Sequence, residues 1–156
     1  MSDATIYKPR TVYVTYIVTT PEKLWAALTS PEFTRQYFIG RHIESEWKVG
    51  SLVRYWQEDG TLDVQGTVLQ CDPPRLLEFT WHVEWIPELR HLPENLVTYH
   101  LDKLGEVVRL TMTESHREGI DEKLLEGGRR GWPIILSGLK SLLETGRALP
   151  KFDIWS

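Results

Sequence analysis

The sequence predicts an α+β fold: a curved antiparallel sheet of about seven strands wrapped around one long C-terminal helix, with two short helices between the first and second strands. Three observations predict it. Period-two alternation recurs from residue 10 to residue 20 and again through the middle of the chain. Two helix starts, Thr20-Pro21-Glu22 and Ser30-Pro31-Glu32, follow the first alternating segment in tandem. An apolar stripe at spacings of three and four closes the chain.

The first strand, residues 10–20, alternates Val12, Val14, Tyr16 and Val18 against Thr11, Tyr13, Thr15, Ile17 and Thr19. The valine-rich set is expected to face inward. Each helix start then combines a hydroxyl cap, proline at the first helical position and glutamate in the first turn. Leu24, Trp25 and Leu28 form the apolar side of the first helix, and Phe33, Tyr37 and Phe38 anchor the second. Strands are expected at residues 42–47, 51–57, 62–71, 76–85, 95–103 and 107–115, separated by Gly, Pro and Asp punctuation. In the last three, one face is apolar (Leu77, Phe79, Trp81; Val97, Tyr99, Leu101; Val108, Leu110, Met112) and the other polar, as in a sheet covered on one side. Residues 85–94, with two prolines, read as a long loop and candidate lid. The stripe Trp132, Ile135, Leu136, Leu139, Leu142 and Leu143 marks the terminal helix, which Gly146 stops. Pro133 leaves two starts open, near Asp121 with a kink or near Gly131.

The chain has 156 residues, a net charge of −4 and one cysteine. That length suits a single domain, 1–156, with its core at about 10–148. One cysteine forms no internal disulfide, and the longest apolar runs are too short to insert in a membrane. The opening Met1-Ser2-Asp3-Ala4-Thr5 has no basic-then-apolar stretch, so a cytoplasmic location is expected. Mild acidity without charged blocks argues against nucleic acid as a partner. Seven tryptophans and six tyrosines against four phenylalanines are compositionally unusual. Such rings serve a core or the wall of a pocket.

Three segments carry a family resemblance. Residues 20–32, Thr20-Pro21-Glu22-Lys23-Leu24-Trp25-Ala26-Ala27-Leu28-Thr29-Ser30-Pro31-Glu32, resemble an A-P-x-x-V-W-x-A-L-T-x-P-E opening. Residues 66–81, from Gly66 through Asp72-Pro73-Pro74 to Thr80-Trp81, resemble a G-x-V-x-x-x-x-P-P-x-x-L-x-x-T-W core. Residues 131–146, from Gly131-Trp132-Pro133 to Gly146, are similar to a terminal-helix pattern. Together they resemble the bacterial single-domain form of the family named after the activator of the heat-shock-protein-90 ATPase. That family lies within the START-related, Bet v allergen-like (SRPBCC) superfamily and its helix-grip fold. The resemblance implies a cavity between sheet and helix. Its use stays open, because the superfamily holds lipid carriers, hormone receptors, aromatase/cyclase enzymes and co-chaperone domains.

The residues themselves give little sign of bond-making chemistry. His42, His82, His91, His100 and His116 show no metal-ligand spacing and are expected at the surface, so no metal is assigned. Cys71 precedes a Pro-Pro turn with no nearby histidine and reads as a small buried residue rather than a nucleophile. No cofactor fingerprint is present. The one catalytic candidate is Glu114, which continues the apolar face of Val108, Leu110 and Met112. There it would be desolvated, a condition suited to acid–base work. In the plainer reading the strand ends near Thr113, and Glu114 sits in solvent or pairs with Arg117.

The leading expectation is therefore a non-catalytic module that binds a hydrophobic or aromatic small molecule between sheet and terminal helix. Tyr16, Trp81, Tyr99, Met112, Trp132, Ile135, Leu136 and Leu139 would line the site, with Trp25, Tyr37 and Phe38 closing one end. Two alternatives stand beside it. One is a cyclase, dehydratase or hydrolase using a cavity carboxylate. The other is a co-chaperone-like interaction role, for which the sequence shows neither an extra docking domain nor an apolar surface stripe. A homodimer is a further option, since Phe152 and Trp155 in the tail need apolar contact.

Overall fold

The computed structural model describes residues 6–153; Trp155, and the contact expected of it, lies outside them. The elements run β1 (Lys8–Val18), α1 (Pro21–Thr29), α2 (Pro31–Tyr37), β2 (His42–Ser45), β3 (Leu52–Trp56), β4 (Leu62–Asp72), β5 (Leu76–Val83), β6 (Asn95–Leu104), β7 (Val107–His116) and α3 (Glu122–Thr145). All seven strands form one antiparallel sheet in the order β1-β7-β6-β5-β4-β3-β2. The expected architecture is thus observed, and each strand of the meander ends within two residues of its expected bounds.

The short helices carry the chain from one edge of the sheet, β1, to the other, β2. Thr20 caps α1 by accepting from the Lys23 amide at 3.2 Å, with Pro21 beginning the helix. Ser30 occupies the cap position of α2, but its hydroxyl makes no capping bond. The Thr34 hydroxyl instead accepts from the Ile43 amide at 3.0 Å, fastening α2 to β2.

β1 faces the opposite way from expectation. Ile17 is fully buried, while Val12, Val14, Tyr16 and Val18 are between 50% and 60% exposed. Register fixes this phase. Tyr13, Thr15 and Ile17 lie opposite Met112, Leu110 and Val108 of β7, and directly opposed residues share a face. The valine set consequently forms an apolar stripe on the outer surface, contrary to the expectation of none. It also removes Tyr16 from the interior. The edge backbone beside the stripe is partly covered by α3, since Lys140 Nζ donates to the Tyr16 carbonyl at 2.6 Å and Glu144 Oε2 accepts from the Val18 amide at 2.8 Å.

α3 begins after Asp121, whose carboxylate accepts from the Lys123 amide at 2.9 Å, and runs through Pro133 to Gly146. Of the two starts left open, the upstream one is realised. Its face of Trp132, Ile135, Leu136, Leu139 and Leu142 packs on Phe79, Val97, Tyr99, Leu110 and Met112 in one continuous core. Within the sheet, Gly66 is irreplaceable. A Cβ there would lie 1.7 Å from the Thr80 carbonyl oxygen, so β4 and β5 approach only because this residue has no side chain.

Candidate functional site

The inward faces of the sheet bring aromatic rings together beneath α3. Phe38, just past α2, stacks on Tyr55 of β3 with centroids 4.6 Å apart and meets the Trp132 indole edge-on at 5.6 Å. Trp81 of β5 lies 5.2 Å from Tyr55 and 5.3 Å from Trp132. Where the sequence led us to expect open space between sheet and helix, the structure places four rings in one connected cluster. Tyr55 is fully buried against Phe38 and Trp81.

Of the residues expected to line a site, Tyr37, Phe38, Tyr99, Met112, Trp132, Ile135, Leu136 and Leu139 are buried in the core. Trp25 and Trp81 are half-buried against it, and Tyr16 is on the outer surface. Burial raises the ionisation of Tyr37, Tyr55 and Tyr99 well above the ordinary phenol range, aided in Tyr37 and Tyr55 by neighbouring phenols. These phenols remain neutral at physiological pH.

Two grooves open at the flanks of this core. The larger, about 610 Å³, lies between α2, the β3–β4 turn, α3 and the chain beyond it. Tyr37, Ile39, Ile134, Leu149 and Phe152 supply its apolar surface, and Arg35, Arg41, Gln57, Glu58, Asp59 and Lys151 its polar rim. Its β-turn wall is braced by Asp63, a buried acid the sequence reading missed. Arg41 Nε approaches Asp63 Oδ2 to 2.5 Å, and Gln57 donates to Oδ1 at 3.1 Å. Alternation on β4 gave no signal for it, since Asp63 is out of phase with the buried Val64, Gly66 and Val68 and sits where the β3–β4 register shifts. The smaller groove, about 270 Å³, runs between β1 and α3 along Tyr13, Val14, Thr15, Pro133, Leu136, Ser137 and Lys140.

Glu114 is not in solvent. β7 continues to His116, so the Glu114 and His116 side chains share its inner face at 7% and 6% exposure. His116 therefore departs from the surface position expected of the histidines. Glu114 Oε2 accepts from Trp132 Nε1 at 3.1 Å, while Oε1 lies 3.4 Å from His116 Nε2 without hydrogen-bond alignment. The remaining chemistry candidates are quiet. Cys71 is half-buried, and burial together with nearby Asp72 pushes its thiol up, away from the reactive thiolate. No group of three metal-capable side chains occurs among the described residues.

The loop after β5 contains a single 3-10 turn, Pro87–Leu89, and lines neither groove. A clasp fastens it to β5. His82 Nδ1 contacts the Glu84 carboxylate, His82 Nε2 lies 2.9 Å from the Arg90 carbonyl, and Arg90 Nε donates to the Glu84 carbonyl at 2.5 Å. Burial opposes the charge on His82, but the Glu84 carboxylate and backbone carbonyls outweigh it and raise the imidazole's pKa.

Comparison with known proteins places this geometry. The family model described as "Activator of Hsp90 ATPase homolog 1-like protein" matches residues 18–144. Among solved structures, MLL2253 from Mesorhizobium loti is 25% identical with a TM-score of 0.70, over 85% of this chain and 96% of that one. CalU16 from Micromonospora echinospora is 20% identical with a TM-score of 0.69, over 92% and 84%. The Aha1 dimer from Colwellia psychrerythraea gives 20% and 0.66, over 88% and 97%. No curated protein matches the sequence. No helix among the described residues is long and apolar enough to cross a membrane.

Proposed function

The chain belongs to the activator of Hsp90 ATPase homolog 1-like family, and on that frame we propose that it binds an apolar or aromatic small molecule in the groove between α2 and α3. One observation carries this reading: a groove of about 610 Å³ with an apolar floor and a mixed polar rim. Small-molecule sites commonly fall between about 300 and 1,000 Å³ and combine these two kinds of surface. Tyr37 links the groove to the ring cluster, since it lines the groove and contacts Phe38 at 6.0 Å. Its hydroxyl is held by the Ala27 carbonyl at 2.7 Å, which fixes the ring as a wall. The buried residues expected from the sequence then act as the rigid backing of the site.

The test is a fluorescence titration with N-phenyl-1-naphthylamine, a neutral apolar probe. Saturable one-to-one binding is expected, weakened about tenfold or more by Ile134→Arg, which places a charge on the apolar floor. Absence of saturation, or an Ile134→Arg variant that is folded and binds equally well, would refute the reading.

A second reading is association with a second copy of the chain. The exposed stripe of Val12, Val14, Tyr16 and Val18 favours it, as large apolar patches often mark contacts. The Colwellia psychrerythraea relative is described as a dimer. Sedimentation should then give a dimer that Val14→Lys dissociates; a monomer at all concentrations excludes it.

A further inference from the structure

Two residues other than glycine have positive φ among the described residues, Trp47 at +56° and Ile39 at +52°. Both are bulky, and Ile39 is also β-branched, the kind of side chain least compatible with the left-handed region. They differ in what offsets the strain. Trp47 packs against the core, meets Phe79 edge-on at 6.5 Å and donates its indole N–H to the Thr29 carbonyl at 3.1 Å. Ile39 lies outside the core cluster with 43% of its surface exposed, and it lines the groove between α2 and α3.

The neighbours on either side hold Ile39 in this state. The Arg41 amide donates to the Phe38 carbonyl at 3.0 Å, and Gly40 has φ +74°, so residues 38–41 close a tight turn with both central residues left-handed. Phe38 fastens one end by stacking on Tyr55, and Arg41 fastens the other by pairing with buried Asp63. A turn with these φ signs favours Asn, Asp or Gly at its first central position. Isoleucine is a poor choice there for folding, and its exposed part gains nothing from burial in the free protein. Backbone strain of this kind clusters at ligand clamps and other functional sites.

We infer that Ile39 is the specificity-determining contact of the α2–α3 groove, held by its turn to meet the apolar part of a ligand. This rests on the small-molecule reading of that groove and adds which end of the ligand goes where. A ring or branched chain faces the Phe38–Arg41 turn, and polar substituents point away from it.

The experiment measures two quantities for each variant: the thermal midpoint without ligand and the affinity for N-phenyl-1-naphthylamine. Ile39→Asn is expected to raise the midpoint by roughly 2–4 °C, because Asn tolerates the left-handed turn. The same variant should weaken the probe about five- to tenfold, because the apolar contact is lost. Ile39→Leu keeps an apolar side chain without the β-branch and should bind within about twofold of wild type. Opposite movement of stability and affinity is the signature, since a residue needed only for folding would lower the midpoint when replaced. An Ile39→Asn variant that melts lower than wild type overturns the inference. So does one that binds the probe as tightly as wild type while Ile134→Arg does not, an outcome that leaves the groove reading standing. A wild-type protein that binds no probe overturns the groove reading and this inference together.

Discussion

Trp132 Nε1 donates to Glu114 Oε2 at 3.1 Å, joining the middle of α3 to the end of β7 with both side chains buried. This bond gives a carboxylate on an apolar face one fixed partner and sets how closely helix and sheet approach. Its removal leaves a buried acceptor unpaired, which is costlier than never having built the pair.

Trp132→Phe is accordingly expected to lower the unfolding free energy by roughly 2–4 kcal/mol, combining the orphaned carboxylate with lost ring volume. Adding Glu114→Leu should recover part of that loss, because an apolar pair needs no hydrogen bond. Urea denaturation of the two single variants and the double variant measures the coupling. Strictly additive losses would contradict the account.

The three glycines in the first half of α3 should respond differently to alanine. At Gly127 and Gly131 a Cβ meets nothing within 4 Å, so alanine should add about 0.5–1 kcal/mol through helix propensity. At Gly128 a Cβ would sit 3.0 Å from both Glu114 carboxylate oxygens, which Trp132 prevents from yielding. Gly128→Ala should therefore give no gain or a net loss. Thermal melts of the three variants decide it, and an equal gain at all three would show that the carboxylate moves freely.

The clasp between β5 and its following loop depends on pH. Contacts of both His82 ring nitrogens with acceptors favour the imidazolium, in line with its raised pKa. A pKa raised in the folded state gives stability that is complete below the unfolded value, near 6.5, and lost as pH rises through the folded value. Amide exchange in residues 85–94, corrected for intrinsic rate, should be better protected at pH 5.5 than at pH 8.5. His82→Phe should abolish the difference; a loop whose protection ignores pH would contradict it.

The fold was legible because alternation, tandem caps and the terminal stripe each reflect a local rule. The phase of β1 was not. Both its faces carry large side chains, and the choice lay in pairing with Val108, Leu110 and Met112, a long-range relation that spacing within β1 does not encode. Glu114 was placed on its face by alternation, but its burial turned on whether β7 extended past Thr113, and it does. The open interior was what the family resemblance implied, with the aromatic inward faces expected to line it. Rings from α2, β3, β5 and α3 instead pack on one another, a three-dimensional complementarity visible only once Tyr55 is placed. The flanking groove depends on the α2–α3 junction, where Gly138 admits Tyr37 and a Cβ would stand 3.3 Å from the Tyr37 Cβ.

A proton–nitrogen correlation spectrum recorded during N-phenyl-1-naphthylamine titration tests the central claim most directly. Saturating shifts are predicted at residues 35–41, 57–59 and 134–138, around the larger groove. Shifts confined to the Trp81 and Trp132 indoles, or none at saturating probe, would contradict a ligand site between α2 and α3.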